Sequence, residues 1–363
     1  MGFDLRPTDE QKALRETLHD FAASALRAEA RACEGAGRTS DRIFDQIHQI
    51  GVAAPVDEEY GGGGTLDAIT HCIAAEELAW GDPGIAYHLL GCGLAAIVIG
   101  RAGTDEQKKK YLPRFAEVTP TRSFVAMGEK IAAGDLEAFE TTIDGDKATG
   151  EKYGVLDATD ATLGIVVGRE TDGIAAVIFD GGRGYEVLRL EGKLGLEAAP
   201  SSVVRFDGVG DALPAGPDLD HAVLWAKLLV GAVAVGTARA SLEYASQYAI
   251  EREAFGKPIG AFQAISFKVA DMAIEVEAAR LAVWRAAWKI DRGEATAADV
   301  AEANAQALQA AVKCGDDGVQ ILGGHGYIRD HPVEKWFRDA VTLSVLDSPD
   351  VVGDVMVARS VFQ

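Results

Sequence analysis

An α+β fold built as three consecutive blocks is the architecture this sequence predicts. Apolar residues recur at helical spacing behind capping signals over 1–117. Short β-branched runs cut by glycine and Asp-Gly turns fill 118–217, and long runs rich in Ala, Leu and Val fill 218–363. These read as an N-terminal helical domain, a middle antiparallel β domain and a C-terminal helical bundle of four-helix type.

In chain order, Thr8-Asp-Glu-Gln11 is a capping box, and Leu14, Leu18, Phe21 and Ala25 continue it at helical spacing. A second helix covers Asp41–Ile50 and stops at Gly51. Asp57-Glu-Glu-Tyr-Gly-Gly-Gly-Gly64 is a loop; its glycines lack the lysine and helix opening of a phosphate-binding loop, so a plain turn is expected. Helices follow at Leu66–Trp80 and Ile85–Arg101, and another starts at the box Thr104-Asp-Glu-Gln107 and ends before Pro113. The strand candidates are Arg122–Met127, Thr141–Ile143, Lys147–Gly150, Leu163–Val167, Ile174–Phe179 and Val203–Phe206, with Asp144-Gly145 as a hairpin turn. Pro214-Ala-Gly-Pro217 is a linker. Long helices are then expected at Leu224–Arg252 and Phe262–Arg292, a third from Thr296-Ala-Ala-Asp299 to Leu322, and further starts at Pro332 and Pro349.

At 363 residues the chain buries a large core. Its formal net charge of −21 argues against nucleic acid and anionic membranes as partners, so a phosphate site has to be locally basic. Cys33, Cys72, Cys92 and Cys314 form no CxxC pair, and the seven histidines show no metal spacing. Free thiols in a reducing compartment, with a first segment unlike a signal peptide, predict a cytoplasmic protein. The apolar run Ile85–Gly100 is too short to span a bilayer. Ser201-Ser202 has no nucleophile–base context.

The chemistry concentrates between the two longest helical runs, in Arg252-Glu-Ala-Phe-Gly-Lys-Pro-Ile259 and Phe262-Gln-Ala-Ile265. Gly256 and Pro258 break the helix, and Arg252, Phe255 and Gln263 cluster at the break. A cationic fork, an aromatic face and an amide suit a phosphate beside a flat ring system. The same residues also read as a helix–turn–helix corner with a surface arginine.

These words, with Ala270-Asp-Met272 and the later block Gln320-Ile-Leu-Gly-Gly-His-Gly-Tyr327 followed by Pro332-Val-Glu-Lys-Trp-Phe-Arg-Asp-Ala340, resemble the acyl-CoA dehydrogenase family. The helical, β, helical order is that of the family fold, so the resemblance covers nearly the whole chain. It implies an FAD enzyme that removes the two hydrogens across the Cα–Cβ bond of an acyl-CoA thioester and passes the electrons to an acceptor. A carboxylate takes the α-proton, and the hydride chemistry belongs to the flavin. Carried over by position, Arg252, Phe255 and Gln263 contact FAD across a subunit interface, and Gln320, Gly323 and Gly324 lie near its adenosine half. The resemblance therefore also implies an oligomer, a dimer or tetramer, formed with itself or with a related acyl-CoA dehydrogenase subunit.

The base position falls on Asp347 in Leu346-Asp-Ser-Pro349, where the family has Tyr-Glu-Gly-Thr. Asp347 also reads as a helix N-cap. The alternative base position of some members is Ala226, and Lys227 matches an arginine that helps place the thioester; its other reading is a solvated helix charge. Met127-Gly-Glu-Lys-Ile-Ala-Ala-Gly-Asp135 aligns with Leu-Thr-Glu-Pro-Gly-Ala-Gly-Ser-Asp, and Gly154-Val-Leu156 with Trp-Ile-Thr. A hydroxyl expected near the flavin is lost at Gly128, and an aromatic wall and another hydroxyl at Gly154 and Leu156. Three readings follow: an acyl-CoA dehydrogenase with Asp347 as base, a non-catalytic subunit completing the FAD site of a partner dehydrogenase, or a family fold with another role on a thioester.

Overall fold

A computed structural model describes residues 6–119, 121–130, 138–171, 173–346 and 350–362, with the backbone alone at 350–354. The first block holds α1 (Asp9–Phe21), α2 (Arg27–Ala36), α3 (Asp41–Ile50), α4 (Ala68–Gly81), α5 (Pro83–Gly91), α6 (Leu94–Ala102) and α7 (Asp105–Tyr111). A π-helical turn, Ala22–Leu26, joins α1 to α2. Both capping boxes form: the Thr8 and Thr104 hydroxyls accept from the amides of Gln11 and Gln107, whose side chains reach back to the cap amides. The single helix expected over Ile85–Arg101 is instead two, broken at Cys92-Gly93. A Cβ on Gly93 would lie 1.7 Å from the Ala53 carbonyl oxygen, so the break lets the 52–56 loop pack against the helix backbone.

The middle block is an eight-stranded sheet: β1 (Ser123–Ala126), β2 (Thr142–Asp144), β3 (Lys147–Leu156), β4 (Leu163–Glu170), β5 (Gly173–Asp180), β6 (Tyr185–Leu190), β7 (Ser201–Val209) and β8 (Asp211–Leu213). Its order is β6-β7-β3-β2-β4-β5-β8, with β1 beside β4. Most ladders are antiparallel as expected, but β1 and β2 both pair parallel to β4, which makes the sheet mixed. Two strands were not legible in the sequence: β6 is a half-exposed edge carrying Glu186 and Arg189, and β8 is a short edge strand. Strand β4 is buried on both faces. Leu163, Ile165 and Val167 join the helical core, while Val166 joins an aromatic cluster of Phe124, Phe179 and Phe206, against which Tyr185 packs.

The last block contains α8 (Pro217–Glu251), the two-strand hairpin β9 (Glu253–Ala254) and β10 (Lys257–Pro258), α9 (Gln263–Asp291), α10 (Ala297–Leu322), α11 (Val333–Val345) and α12 (Asp350–Phe362). Helix α8 and the 20-residue stretch Pro83–Ala102 are long and apolar enough to cross a membrane, so the second is not too short as expected; 94% of each apolar window is buried inside the protein, as in core helices.

Buried charge holds the layers together. Glu76 and Glu77, neighbours on α4, face Arg239 of α8 and Arg280 of α9: Arg239 Nη1 lies 2.9 Å from Glu76, Arg239 Nη2 lies 2.6 Å from Glu77, and Arg280 Nη2 lies 2.6 Å from Glu76. Lys335 of α11 is buried between Asp82, the N-cap of α5, at 2.6 Å and Asp339 at 2.8 Å. Burial works against the Glu77 charge, but Arg239, with His19 and Arg15, brings its carboxyl down to about 2. A depressed carboxyl stabilises the fold above its unfolded value of about 4.3. That contribution is therefore expected to fade as pH falls from about 4 towards 2, read as the urea midpoint against pH, and Glu77→Gln should flatten the dependence. Arg239→Met leaves two buried carboxylates short of a partner and should cost about 3–5 kcal/mol in urea unfolding; a loss below about 1 kcal/mol would contradict the role given to this network.

Candidate functional site

The corner between α8 and α9 presents its polar and aromatic groups outwards. Arg252 caps α8 in an extended conformation, its amide donating to the Tyr248 carbonyl oxygen at 2.8 Å. The turn that follows places Phe255 at φ 54° and Gly256 at φ 79°, two consecutive left-handed residues joining β9 to β10. Glycine takes that conformation freely, and a bulky aromatic does not. Phe255 holds it while 97% exposed, so packing within this chain does not explain the conformation. Its ring meets Phe262 edge-on at 6.2 Å, and Lys257 Nζ sits 4.2 Å above the Phe262 ring. Gln263 opens α9 and is exposed. Arg252 makes no ion pair among the described residues.

The second predicted block lies beside the first. Helix α10 ends at Leu322, and Gly323 follows at φ 58°, ψ −132°, a backbone region that side chains disfavour. A tight turn over Gly323–Tyr327 then exposes Gly324 and Tyr327, with open space around the Gly324 Cβ position. Tyr248, in the last turns of α8, shares a 2.8 Å hydrogen bond with His325 Nδ1, and Tyr244 shares one of the same length with His331 Nδ1. These bonds join the Arg252 corner and the Gly323–Gly324 turn into one continuous surface, and Gln320 is exposed at its edge. Along α9, Phe267, Ile274 and Leu281 are exposed at seven-residue intervals, an apolar stripe on the same helix.

Two of the described positions aligned with the flavin-facing motifs have close neighbours. The Gly154 amide donates to Glu191 at 3.0 Å, and a Cβ there would meet a Leu346 methyl at 3.6 Å, an ordinary contact. Leu156 packs against Gly91, its methyl 2.2 Å from where a Cβ would stand. Lys152, fully buried, bonds Glu129 at 2.7 Å and the Met127 carbonyl at 3.2 Å, and lies 3.6 Å above Phe139. Burial opposes the Glu129 charge, but Lys152 and the amides of Glu140 and Thr141 hold its carboxyl below the usual range.

Lys227 is 4% exposed on α8, which removes the solvated-charge reading; its carbonyl accepts from Asn304 Nδ2 at 2.9 Å. Ala226 is buried beside it. Asp347, with Ser348 and Pro349, lies outside the described residues, as do 131–137 of the Met127–Asp135 motif.

Two polar clusters were not legible in the sequence. Ser201 Oγ accepts from Lys193 Nζ and donates to Glu191, each at 3.0 Å, and burial brings the Lys193 amine down to about 8. The other cluster, His88, Cys92 and Asp157, joins a helix end to a residue far along the chain.

The family model for the acyl-CoA dehydrogenase C-terminal domain matches residues 220–361, and the N-terminal domain model matches 8–119. This chain belongs to the acyl-CoA dehydrogenase family. A probable acyl-CoA dehydrogenase of Bacillus subtilis strain 168 is 31% identical over the full length of both chains. A short-chain specific acyl-CoA dehydrogenase of Megasphaera elsdenii is 31% identical over 97% of each. The solved structure of butyryl-CoA dehydrogenase from Megasphaera elsdenii superposes with a TM-score of 0.87 at 29% identity, covering 99% of this chain and 100% of that one.

Within this acyl-CoA dehydrogenase fold, Tyr248 acts as the strut between the two halves of the exposed surface. Tyr248→Phe should speed amide exchange in the Gly323–Tyr327 turn at least threefold and lower global stability by about 1 kcal/mol or less. Unchanged exchange in that turn would contradict the strut.

Proposed function

We propose that this chain is an FAD-dependent acyl-CoA dehydrogenase acting in an oligomer in which its corner completes the flavin site of a neighbouring subunit. One observation carries the reading: an exposed guanidinium with no ion pair among the described residues and a left-handed, 97% exposed phenylalanine adjoin a glycine turn on one surface. That donor set fits an anionic dinucleotide. Arg252 offers a fork for phosphate oxygens, Phe255 a face for a ring, Gln263 an amide, and Gln320, Gly323 and Gly324 a side chain and backbone open to close approach. The apolar stripe of α9 supports burial of this face by another subunit.

FAD, when bound, accepts the hydride from the substrate β-carbon. The chain's own part is to orient the thioester and remove the α-proton. The Asp347 carboxylate is the proposed base, and the buried Lys227 helps place the thioester end. Electrons then leave to an acceptor protein. The four free, buried cysteines suit a reducing compartment, and the chain is proposed to act in the cytoplasm.

A second reading is favoured by Gly154 and Leu156, which stand where the family carries an aromatic and a hydroxyl. On that reading the chain is a companion subunit that completes the FAD site of a related dehydrogenase and does not dehydrogenate substrate itself.

Purification of the chain alone separates the two. The first reading expects stoichiometric flavin absorbance, and Arg252→Ala should weaken FAD retention about tenfold or more without changing the unfolding free energy of the flavin-free protein by more than about 0.5 kcal/mol. The second expects colourless protein that becomes flavinated only on co-expression with a related subunit. In whichever assembly is active, Asp347→Asn should cut turnover at least a hundredfold; unchanged turnover removes Asp347 as the base.

A further inference from the structure

Cys92 follows His88 by four residues, and its amide donates to the His88 carbonyl at 3.0 Å, so both side chains leave the same face of the last turn of α5. Asp157, the residue after β3, enters that face from the sheet. The imidazole nitrogens, the Cys92 sulfur and the Asp157 oxygens offer one ligand atom each, all within 4.8 Å of one another. None of the three residues is more than 2% exposed.

The Cys92 thiol donates to Asp157 Oδ2 in a long contact of 3.8 Å, but the histidine is left out of that bonding. His88 Nε2 is 3.4 Å from Asp157 Oδ1, and neither ring nitrogen of this fully buried histidine has a hydrogen-bond partner. Such a group is costly to leave unsatisfied. A tetrahedral cation with bonds of about 2.0–2.1 Å to nitrogen and oxygen separates those two ligands by about 3.3–3.4 Å. Cys92 Sγ lies 3.8 Å from Oδ2, the carboxylate oxygen next to the one that faces the histidine. All three groups offer a ligand atom within a 4.8 Å span, compact enough to share one ion.

We propose that His88, Cys92 and Asp157 bind a divalent cation of borderline softness, Zn2+ foremost, clamping the α5–α6 break to the end of β3. The mixed N, S, O donor set selects this class over Mg2+ or Ca2+, which take oxygen. Three protein ligands leave a fourth position for water. On binding, the Cys92 S–H proton leaves to solvent and the thiolate takes the metal. Burial first, and then the Asp157 charge, push the empty-site thiol well up; a dication reverses the second effect.

The surroundings are balanced for it. Arg122 Nη1 holds Asp157 Oδ2 at 3.0 Å and leaves Oδ1 facing the histidine, in the manner of an outer-shell partner that orients a ligating carboxylate. The Arg122 charge is matched by Asp41 at 2.6 Å, so a dication with one thiolate and one carboxylate is neutral. Asp157 is held at φ 51°, a left-handed conformation that aims its side chain at α5. The clamp would act close to the flavin-facing strand, because Leu156 precedes Asp157 and packs on Gly91, next to Cys92.

The test uses full-length protein without a histidine tag, purified without chelator from zinc-supplemented cells. Elemental analysis should find one zinc per chain, and zinc content should fall at least tenfold in Cys92→Ser and in Asp157→Asn. Protein from cobalt-supplemented cells should show the intense visible bands of tetrahedral Co2+ and a near-ultraviolet thiolate-to-cobalt band, the latter lost in Cys92→Ser. Wild-type protein that carries no zinc and takes up no cobalt overturns the proposal. So does a thiolate–cobalt band that survives Cys92→Ser in folded protein. The wild-type cobalt spectrum decides the matter even where a variant fails to fold.

Discussion

Two carboxylates side by side on α4 and two guanidiniums arriving from α8 and α9 form the joint on which the rest of the molecule depends. Glu76 and Glu77 are almost completely buried, and so is Arg239. Charges removed from water are tolerable only when paired and hydrogen-bonded. Here each carboxylate has at least one bidentate or multiple partner, with Arg15 and His19 closing the outer side of Glu77. An apolar core of Ala, Leu and Val would let α8 slide on α4. The charged joint sets one register. The Asp82–Lys335–Asp339 triad does the same between α5 and α11, and Asp339 also accepts from the Leu196 amide, bringing the β domain into the same frame.

That frame determines where the functional surface falls. Helix α8 runs from the buried Lys227 to the exposed Arg252, and α9 starts again at Gln263, four residues separating it from the hairpin, and runs back along it. One end of the pair therefore lies in the core and the other carries polar and aromatic groups with no use inside the chain. Phe255 makes the point most sharply. A hydrophobic residue in a disfavoured backbone region, almost wholly exposed, has one edge-on contact, with Phe262, among the described residues. On the proposed function, the joined surface of Arg252, Phe255 and the Gly323 turn is one half of a binding site whose other half a neighbouring subunit supplies.

Much of the fold was legible because its signals are local. The capping boxes at Thr8, Thr104 and Thr296 each form, and the long apolar runs are the long helices. The corner motif was legible as a break in a helix, and its exposure agrees with a role at a surface. Non-local effects were not legible. The split between α5 and α6 comes from a carbonyl some forty residues upstream pressing on Gly93. Strand β6 is specified by its neighbour β7 more than by its own half-charged sequence. For Lys227 the sequence left a residue that places the thioester and a solvated helix charge both open, and its burial beside α10 removes the second. The His88–Cys92–Asp157 cluster escaped because its third member is 65 residues from the second, a separation no spacing rule captures.

The claim at the centre of this account is that flavin is held between subunits. Native mass spectrometry of the flavin-loaded assembly across a dilution series tests it most directly. The account predicts that FAD appears only on dimers or larger species and is released as they dissociate. A monomer that keeps one FAD through the dilution would contradict it.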